Sequence, residues 1–343
     1  MSSAIKKNTG MAKYAGSLLI GVILVAIVVS LSRLSWAEVQ AALYTISMAG
    51  YLLLFGMYTV HLWLVSRRWS LVVRRVSNVG VYAPGFFFYN ITLAQVARLL
   101  PLSHMAGFGT KLFSLKVDSG TPVTHGFFCT LVEIVFNLFT IGLMVLSGLI
   151  ILLGSGTMLA GILSAISALV CTVVFVFWFK ELFSLGLALI SRIAGLFGRF
   201  RIMADRVEAV RSLADTLSLP CPLVVKMLAL TISFYALGLA RGLFIAWLMG
   251  IEVTALDFYS IYALSLLISL VGITPSGLGV VEAGWVGILM HLGIPADQAA
   301  SYALVKRIVD ETTLILLAGC GYSLFKAGQS WDKNNNKRVP HHE

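Results

Sequence analysis

Charged residues are scarce in this chain of 343 residues, at 12% of the sequence, whereas hydrophobic residues reach 59%. A soluble globular domain carries about 25% charged residues, so the composition excludes that class. Segments of about ten residues with alternating hydrophobicity, which a spanning β-barrel needs, are also missing. Because each membrane-spanning segment must then satisfy its own backbone hydrogen bonds, the sequence predicts an all-α polytopic membrane protein.

Residue types that bind metals or act as nucleophiles are also few. The four cysteines lie in or beside apolar segments without metal-ligand spacing, which is typical of small buried residues outside disulfides. The histidines are scattered, and neither a phosphate-binding P-loop nor a nucleophile elbow is present. An intramembrane enzyme acting on a lipid would need such a site. We therefore expect no enzymatic activity, no metal and no cofactor.

Six apolar runs are long enough to cross the roughly 30 Å of hydrocarbon in a bilayer. The predicted spans are 15–32, 45–65, 124–152, 157–179, 222–249 and 299–325. Two further apolar regions, 81–101 and 256–291, are interrupted by proline and glycine. We predict about six full spans and two re-entrant, broken helical hairpins within one transmembrane domain, 15–325.

Basic residues set the predicted orientation. If both hairpins return to the side they entered from, one face collects nearly all loop lysines and arginines, Arg68 among them, and the other keeps only Arg33. The positive-inside rule then places both termini, 1–14 and 326–343, in the cytoplasm, with the first hairpin entering from that side and the second from outside. The formal charge of +10 indicates loops facing anionic lipid, without nucleic acid. Segment 180–220 fits either amphipathic interfacial helices or a plain connector.

The second interrupted region, GITPSGLGVVEAG at 272–284, cannot form a regular helix throughout. Pro275 lacks a backbone donor, and Gly277 and Gly279 tolerate unusual dihedrals. Such a break is tolerated at membrane depth only where protein or a water-filled cavity satisfies the backbone. A helix restarting after Gly279 would aim its N-terminus at an anion such as phosphate. Glu282, in its first turn, either caps this helix or pairs with a basic residue on a substrate path.

The first interrupted region has a similar design. Pro101 precedes Gly107 and Gly109, and the cations Arg98 and Lys111 lie on either side. A broken hairpin in each half, entering from opposite faces, is typical of inverted-repeat transporters, whose site lies near the bilayer midplane.

Eight charged residues lie within or close to apolar segments: Arg98, Glu133, Arg241, Glu282, Lys306, Arg307, Asp310 and Glu311. Each Asp, Lys or Arg costs roughly 2.5–3.5 kcal/mol at the centre of a membrane helix, so pairing or exposure to a cavity is expected. The four within 306–311 lie one turn apart and could form a purely structural cluster. Glu133 and Arg241 need partners from other helices, and we predict that Glu133 pairs with Arg98.

Two signatures resemble the lysylphosphatidylglycerol synthase transmembrane-region family, also described as flippase-like domains. They are Leu100-Pro101 through Gly107 to Lys111 followed by Glu133, and Pro275 through Glu282 followed by Arg307. The second is similar to the family's Pro-Gly-Gly-x-Gly-x-x-Glu pattern, with Ser276 where the family usually has glycine. The first departs further, because Leu102, Phe108 and Lys111 replace glycine, glutamate and arginine of the family pattern.

The resemblance implies that the chain flips an anionic phospholipid, a glycolipid or a lipid-linked envelope precursor in the bacterial inner membrane. The multiple peptide resistance factor proteins, which the family resembles, join such a membrane domain to a soluble aminoacyltransferase domain. No domain of that size follows residue 325, so we expect a stand-alone member without synthase activity. The alternative is a non-catalytic partner or regulator of a lipid-modifying enzyme or glycosyltransferase. The candidate substrate-binding residues are Arg98, Pro101, Gly107, Lys111, Glu133, Arg241, Pro275, Gly277, Gly279, Glu282, Arg307 and Asp310.

Overall fold

The computed structural model describes residues 36–77, 85–100, 103–154, 157–196, 210–214, 219–270 and 274–336, and the regular structure within these ranges is helical. In chain order the helices are α1 (Trp36–Thr45), α2 (Met48–Val76), α3 (Phe86–Ala97), α4 (Ser103–Ser119), α5 (Val123–Leu153), α6 (Met158–Phe177), α7 (Phe179–Leu196), α8 (Cys221–Leu248), α9 (Ala255–Ser269), α10 (Val280–His291) and α11 (Ala296–Asn336). A 3₁₀ turn, Pro275–Gly277, lies between α9 and α10.

Five helices of the described ranges are long and apolar enough to cross a membrane: α2, α5, α6, α8 and the Ala296–Ala327 part of α11. They correspond to five of the six predicted spans, from 45–65 to 299–325. The remaining predicted span, 15–32, lies outside the described residues. The chain is therefore an all-α polytopic membrane protein, as its composition predicts.

The two interrupted regions form short helices in place of full spans. α3 and α10 have 12 residues each and α9 has 15. At about 1.5 Å per residue they reach roughly 18–23 Å, less than the hydrocarbon thickness of about 30 Å. α3 packs against α4, which begins just after the first region at Ser103, and α9 packs against α10, so the chain folds back at both interruptions. The predicted broken hairpins are confirmed, and the face from which each enters stays a prediction.

Small residues let the second hairpin approach the spans closely. Gly148 of α5 faces the backbone of Ser260 in α9. On α8, a Cβ at Gly238 would overlap the Tyr262 hydroxyl, and Gly242 lies against the Phe258 ring. The small-residue face of α8 therefore serves contacts within the chain, as small residues do where membrane helices pack by van der Waals contact.

Aromatic clusters hold the helices together in two places. Near α5, the ring of Phe136 lies 5.3 Å from Phe175 and 5.1 Å from Phe179. Around the second hairpin, Trp285 of α10 lies 5.3 Å from Tyr302 of α11. Aromatic pairs at such distances add about 0.5–1.5 kcal/mol beyond their burial, which helps to fix the hairpins against the spans.

The predicted interfacial segment 180–220 is described only in part. α7 buries Phe179, Phe183 and Leu187 at four-residue spacing and exposes Lys180 and Leu185. Residues 197–209 and 215–218 lie outside the described residues, as does the predicted cytoplasmic segment 1–14. At the other end, α11 passes residue 325 and continues into the predicted tail as far as Asn336. The position of these segments relative to the membrane stays a prediction.

Candidate functional site

The second hairpin turns at a short run of left-handed residues. After α9 ends at Ser269, the backbone has positive φ at Ser276 (50°), Gly277 (70°) and Gly279 (80°). Glycine adopts these dihedrals without a side-chain penalty, whereas Ser276 must be held in place by its neighbours. The proline and glycine pattern therefore marks a true break in the helix.

Glu282 combines the two roles that the sequence left open. Its side chain is 2% exposed. One carboxylate oxygen, Oε2, accepts a hydrogen bond of 2.6 Å from the backbone N–H of Gly279, and the other, Oε1, pairs with Arg307 Nη1. The sequence predicts that the N-terminus of α10 binds a substrate anion. In the structure the carboxylate of Glu282 lies there instead and accepts from the Gly279 N–H.

Arg307 of α11 joins this turn to a second carboxylate. Its Nη2 lies 3.6 Å from Glu311 Oε1 and 3.5 Å from the carbonyl oxygen of Ser276. The Ser276 hydroxyl donates to Glu311 at 3.1 Å. The turn is therefore fixed by side chains of the span that follows it.

The first break meets the second. Arg98 ends α3, and its carbonyl oxygen accepts a hydrogen bond of 3.0 Å from the Ser276 N–H. Its guanidinium donates to Gln95 at 3.1 Å. Gly107 of α4 packs so closely on α3 that a Cβ would lie 2.9 Å from Arg98 Cγ. Pro101 lies outside the described residues. The contact between the two breaks is therefore described at Arg98.

Glu133 of α5 lies between two cations. Its Oε2 accepts from Lys111 Nζ at 2.5 Å, and its Oε1 lies 3.4 Å from Arg68 Nε. Arg68 also donates to Asn137 at 2.7 Å and to Thr231 at 2.9 Å. Glu133 is 1% exposed and Arg68 is 3% exposed, whereas the Lys111 side chain is 14% exposed, so the cluster is buried except at Lys111.

These contacts correct two predictions. Glu133 pairs with Lys111 and Arg68, and the predicted pairing with Arg98 is wrong, because α4 brings Lys111 to α5 while Arg98 turns toward the second break. The sequence also assigns Arg68 to a cytoplasmic loop, whereas it lies inside α2. Val65 and Val72, one turn away on either side, are buried with it. Their helical spacing in the sequence could have indicated that Arg68 lies on a buried face.

Arg241 of α8 finds its partners on α11 and α2. Its Nη2 lies 3.2 Å from Asp310 Oδ2, which also accepts from Lys306 Nζ at 2.8 Å. Its guanidinium stacks over the Tyr58 ring at 4.2 Å, an arrangement worth about 0.5–2 kcal/mol. Nε and Nη1 of Arg241, Oδ1 of Asp310 and Nδ1 of His61 are buried with no hydrogen-bond partner among the described residues.

Ion pairs join these groups into three clusters, at Glu133, at Asp310 and at Arg307, which together with Arg98 we call the ion network. Arg98 adjoins the cluster at Arg307 through Ser276, whose N–H donates to the Arg98 carbonyl oxygen and whose hydroxyl donates to Glu311. The ion network comprises Arg68, Arg98, Lys111, Glu133, Arg241, Glu282, Lys306, Arg307, Asp310 and Glu311. Seven of the predicted site residues belong to it, and Gly107, Pro275, Gly277 and Gly279 shape the two breaks beside it. Within the described ranges, no three His, Cys, Asp or Glu side chains are grouped as metal ligands.

Two broken hairpins meeting at buried charges among spanning helices define a polytopic membrane protein with a polar interior. The model of the lysylphosphatidylglycerol synthase TM region matches residues 15–319, and the chain belongs to this family. Neither a curated protein nor a solved structure matches it. The predicted membership of this family is thereby confirmed, and it supports a lipid-related function in the membrane.

Proposed function

We propose that this protein translocates anionic lipid headgroups across the bacterial inner membrane, without changing the lipid chemically. The observation that carries the proposal is the hydrogen bond from Ser276 N–H to Arg98 O, which brings both helix breaks together beside the ion network. Broken helices that meet inside a bundle supply polar backbone and charged side chains at membrane depth.

The ion network offers a headgroup an alternative to hydrocarbon. A charged group at the bilayer centre pays a large desolvation penalty. Cations held by neighbouring carboxylates can exchange those carboxylates for a lipid phosphate, because the two bind guanidinium in the same geometry. Arg307, shared between Glu282, Glu311 and the Ser276 carbonyl, has such a choice of partners.

The remaining parts of the proposal concern the energy source, the orientation in the membrane and the partners. The sequence holds no nucleotide-binding motif, so movement would follow lipid or ion gradients. The excess of lysine and arginine on one side supports cytoplasmic N- and C-termini. Membrane lipids are the proposed partners.

Reconstituted vesicles test the proposal. Vesicles carrying the protein and a fluorescent phosphatidylglycerol should lose inner-leaflet fluorescence to an external quencher faster than protein-free vesicles. Arg307→Lys should slow this loss about tenfold, because lysine cannot bridge two carboxylates as a planar guanidinium does. Lys326→Arg, at an exposed position of the same helix, is the matched control. A scaffold that only docks an enzyme would fold with Arg307→Lys, and in neither form would inner-leaflet fluorescence be lost faster than in protein-free vesicles.

A further inference from the structure

The cluster at Asp310 has one more cation than its carboxylate can balance. Arg241 and Lys306 both pair with the same oxygen, Oδ2, at 3.2 and 2.8 Å, and within the described ranges neither cation forms an ion pair with another acid. Two cations and one carboxylate leave a surplus of one positive charge. Only 8% of the Arg241 side chain and 18% of the other two are exposed. Such a charge is costly in a low-dielectric interior unless a counter-charge lies beside it.

Aromatic rings face both cations of this cluster without supplying a counter-charge. The Arg241 guanidinium lies 4.2 Å from the centre of the Tyr58 ring, and Lys306 Nζ lies 5.7 Å from the centre of the Trp285 ring. The face of an aromatic ring attracts a cation through its quadrupole, but the ring carries no net charge. The rings therefore shield the two cations from hydrocarbon and leave the surplus charge in place.

The neighbouring cluster at Arg307 does not supply the missing partner. There two carboxylates, Glu282 and Glu311, share one cation, which is a deficit of one charge. Their hydrogen bonds in the described part of the chain go to Arg307 and to the turn before α10. These acids therefore fix the turn, and neither accepts a hydrogen bond from Arg241.

Arg241 also has donors that lack an acceptor. Its Nη2 donates to Asp310, whereas Nε and Nη1 are buried and have no hydrogen-bond partner among the described residues. Nearly all buried polar groups in native proteins are paired, because an unpaired buried donor loses its hydration without compensation. Hydrogen bonds from a guanidinium to an anion are among the strong ones. The unpaired donors and the surplus charge therefore both favour a negatively charged ligand.

We infer that the cluster at Asp310 binds one singly charged anion, which accepts hydrogen bonds from the unpaired N–H groups of Arg241 and balances the surplus charge. Two sources offer this chemistry to a membrane protein, the phosphodiester of a lipid headgroup and a free halide such as chloride. The site requires no lipid movement, so the inference goes beyond the proposed translocation.

Thermal unfolding in an uncharged detergent tests the site with each source in turn. In the first series, chloride replaces gluconate, a much larger anion, at constant ionic strength. In the second, the gluconate buffer receives a short-chain phosphatidylglycerol, and a diacylglycerol with the same chains is the control. At about tenfold excess over its dissociation constant, we expect at least one of the two anions to raise the unfolding temperature by about 2–4 °C.

Variants test the placement of the anion at this cluster. Arg241→Gln removes the donors and the surplus charge together, so an anion should shift its unfolding temperature by less than about 0.5 °C. Lys306→Gln keeps the donors and removes the surplus charge, and should weaken anion binding about tenfold. Lys226→Gln removes one positive charge from an exposed position of α8 and should keep the full shift. If Arg241→Gln does not fold, the wild-type series and Lys306→Gln decide the inference.

The outcomes also identify the source of the anion. A shift with chloride alone indicates a free ion, a shift with phosphatidylglycerol alone indicates a lipid headgroup, and each of these results, or both together, supports the site. A wild-type protein stabilised by neither anion would overturn the inference, and so would an equal shift in wild type and Arg241→Gln. None of these measurements follows lipid movement, so the vesicle assay still decides the proposed function separately.

Discussion

The two broken hairpins are joined to the spans that follow them by ion pairs of opposite polarity. In the first, the hairpin contributes the cation Lys111 and the span α5 contributes the acid Glu133, 22 residues later. In the second, the hairpin contributes the acid Glu282 and the span α11 contributes the cation Arg307, 25 residues later. The same link between hairpin and span is therefore formed twice, with the charges exchanged. Glu282 has a second role, because it also caps the helix to which it belongs.

The largest expected difference follows from removing each acid. Glu133→Gln leaves Lys111 and Arg68 buried without a counter-charge, and should reduce the free energy of unfolding by about 3–5 kcal/mol. Glu282→Gln should cost less, about 1–3 kcal/mol, because Arg307 keeps Glu311 and a glutamine oxygen can still accept from Gly279. Thermal unfolding in detergent measures both.

Glu252→Gln, at an exposed acid outside the ion network, is the control for this pair of variants and should shift the unfolding free energy by less than about 0.5 kcal/mol. Equal losses for Glu133→Gln and Glu282→Gln would show that the polarity of the hairpins has no energetic consequence.

A smaller difference is expected where each hairpin packs on itself at a glycine. In the first, a Cβ at Gly107 would lie 3.0 Å from the carbonyl oxygen of Ala94, so Gly107→Ala must move backbone and should cost about 1–3 kcal/mol. In the second, a Cβ at Gly284 would overlap the terminal Cδ1 of Ile268, a flexible atom. Gly284→Ala should therefore cost less than about 1 kcal/mol, as measured by thermal unfolding.

Each hairpin supplies its own control for these glycine variants. A Cβ at Gly109 or at Gly287 would meet no atom of the described residues within 4 Å, so alanine there should be neutral or stabilise by up to about 1 kcal/mol. A Gly284→Ala protein less stable than the Gly107→Ala protein would contradict the expectation that the first hairpin is packed more tightly at its glycine.

The smallest expected effect concerns Ser276, which holds a left-handed φ of 50°. Ser276→Gly relieves about 1 kcal/mol of backbone strain and loses a hydrogen bond to Glu311 of similar value, so the unfolding free energy should change by less than about 0.5 kcal/mol. Ser276→Ala keeps the strain and loses the bond, and should cost about 1 kcal/mol. Equal stability of the two variants would mean that the strain has no effect.

The sequence predicted the parts of this structure that depend on local chemistry. Long apolar runs predicted five spans because a helix must satisfy its own backbone in lipid, and Pro275 with its glycines predicted the second break. The partner of Glu133 could not be predicted, because it depends on how α2, α4 and α5 rotate against one another. Arg68 was missed for a related reason, since basic residues at 67, 74 and 75 on the same helix are exposed and resemble an interfacial cluster.

The hydrogen bond between the two hairpin tips joins main-chain atoms, Ser276 N–H to Arg98 O. Every residue type has that carbonyl, and every type except proline has that N–H, so the hydrogen bond itself requires no particular side chain at either position. Relatives with glycine in place of Ser276 can therefore keep the same junction. The link between the hairpins depends on the backbone conformation, and proline at 276 is the single replacement that would remove its donor.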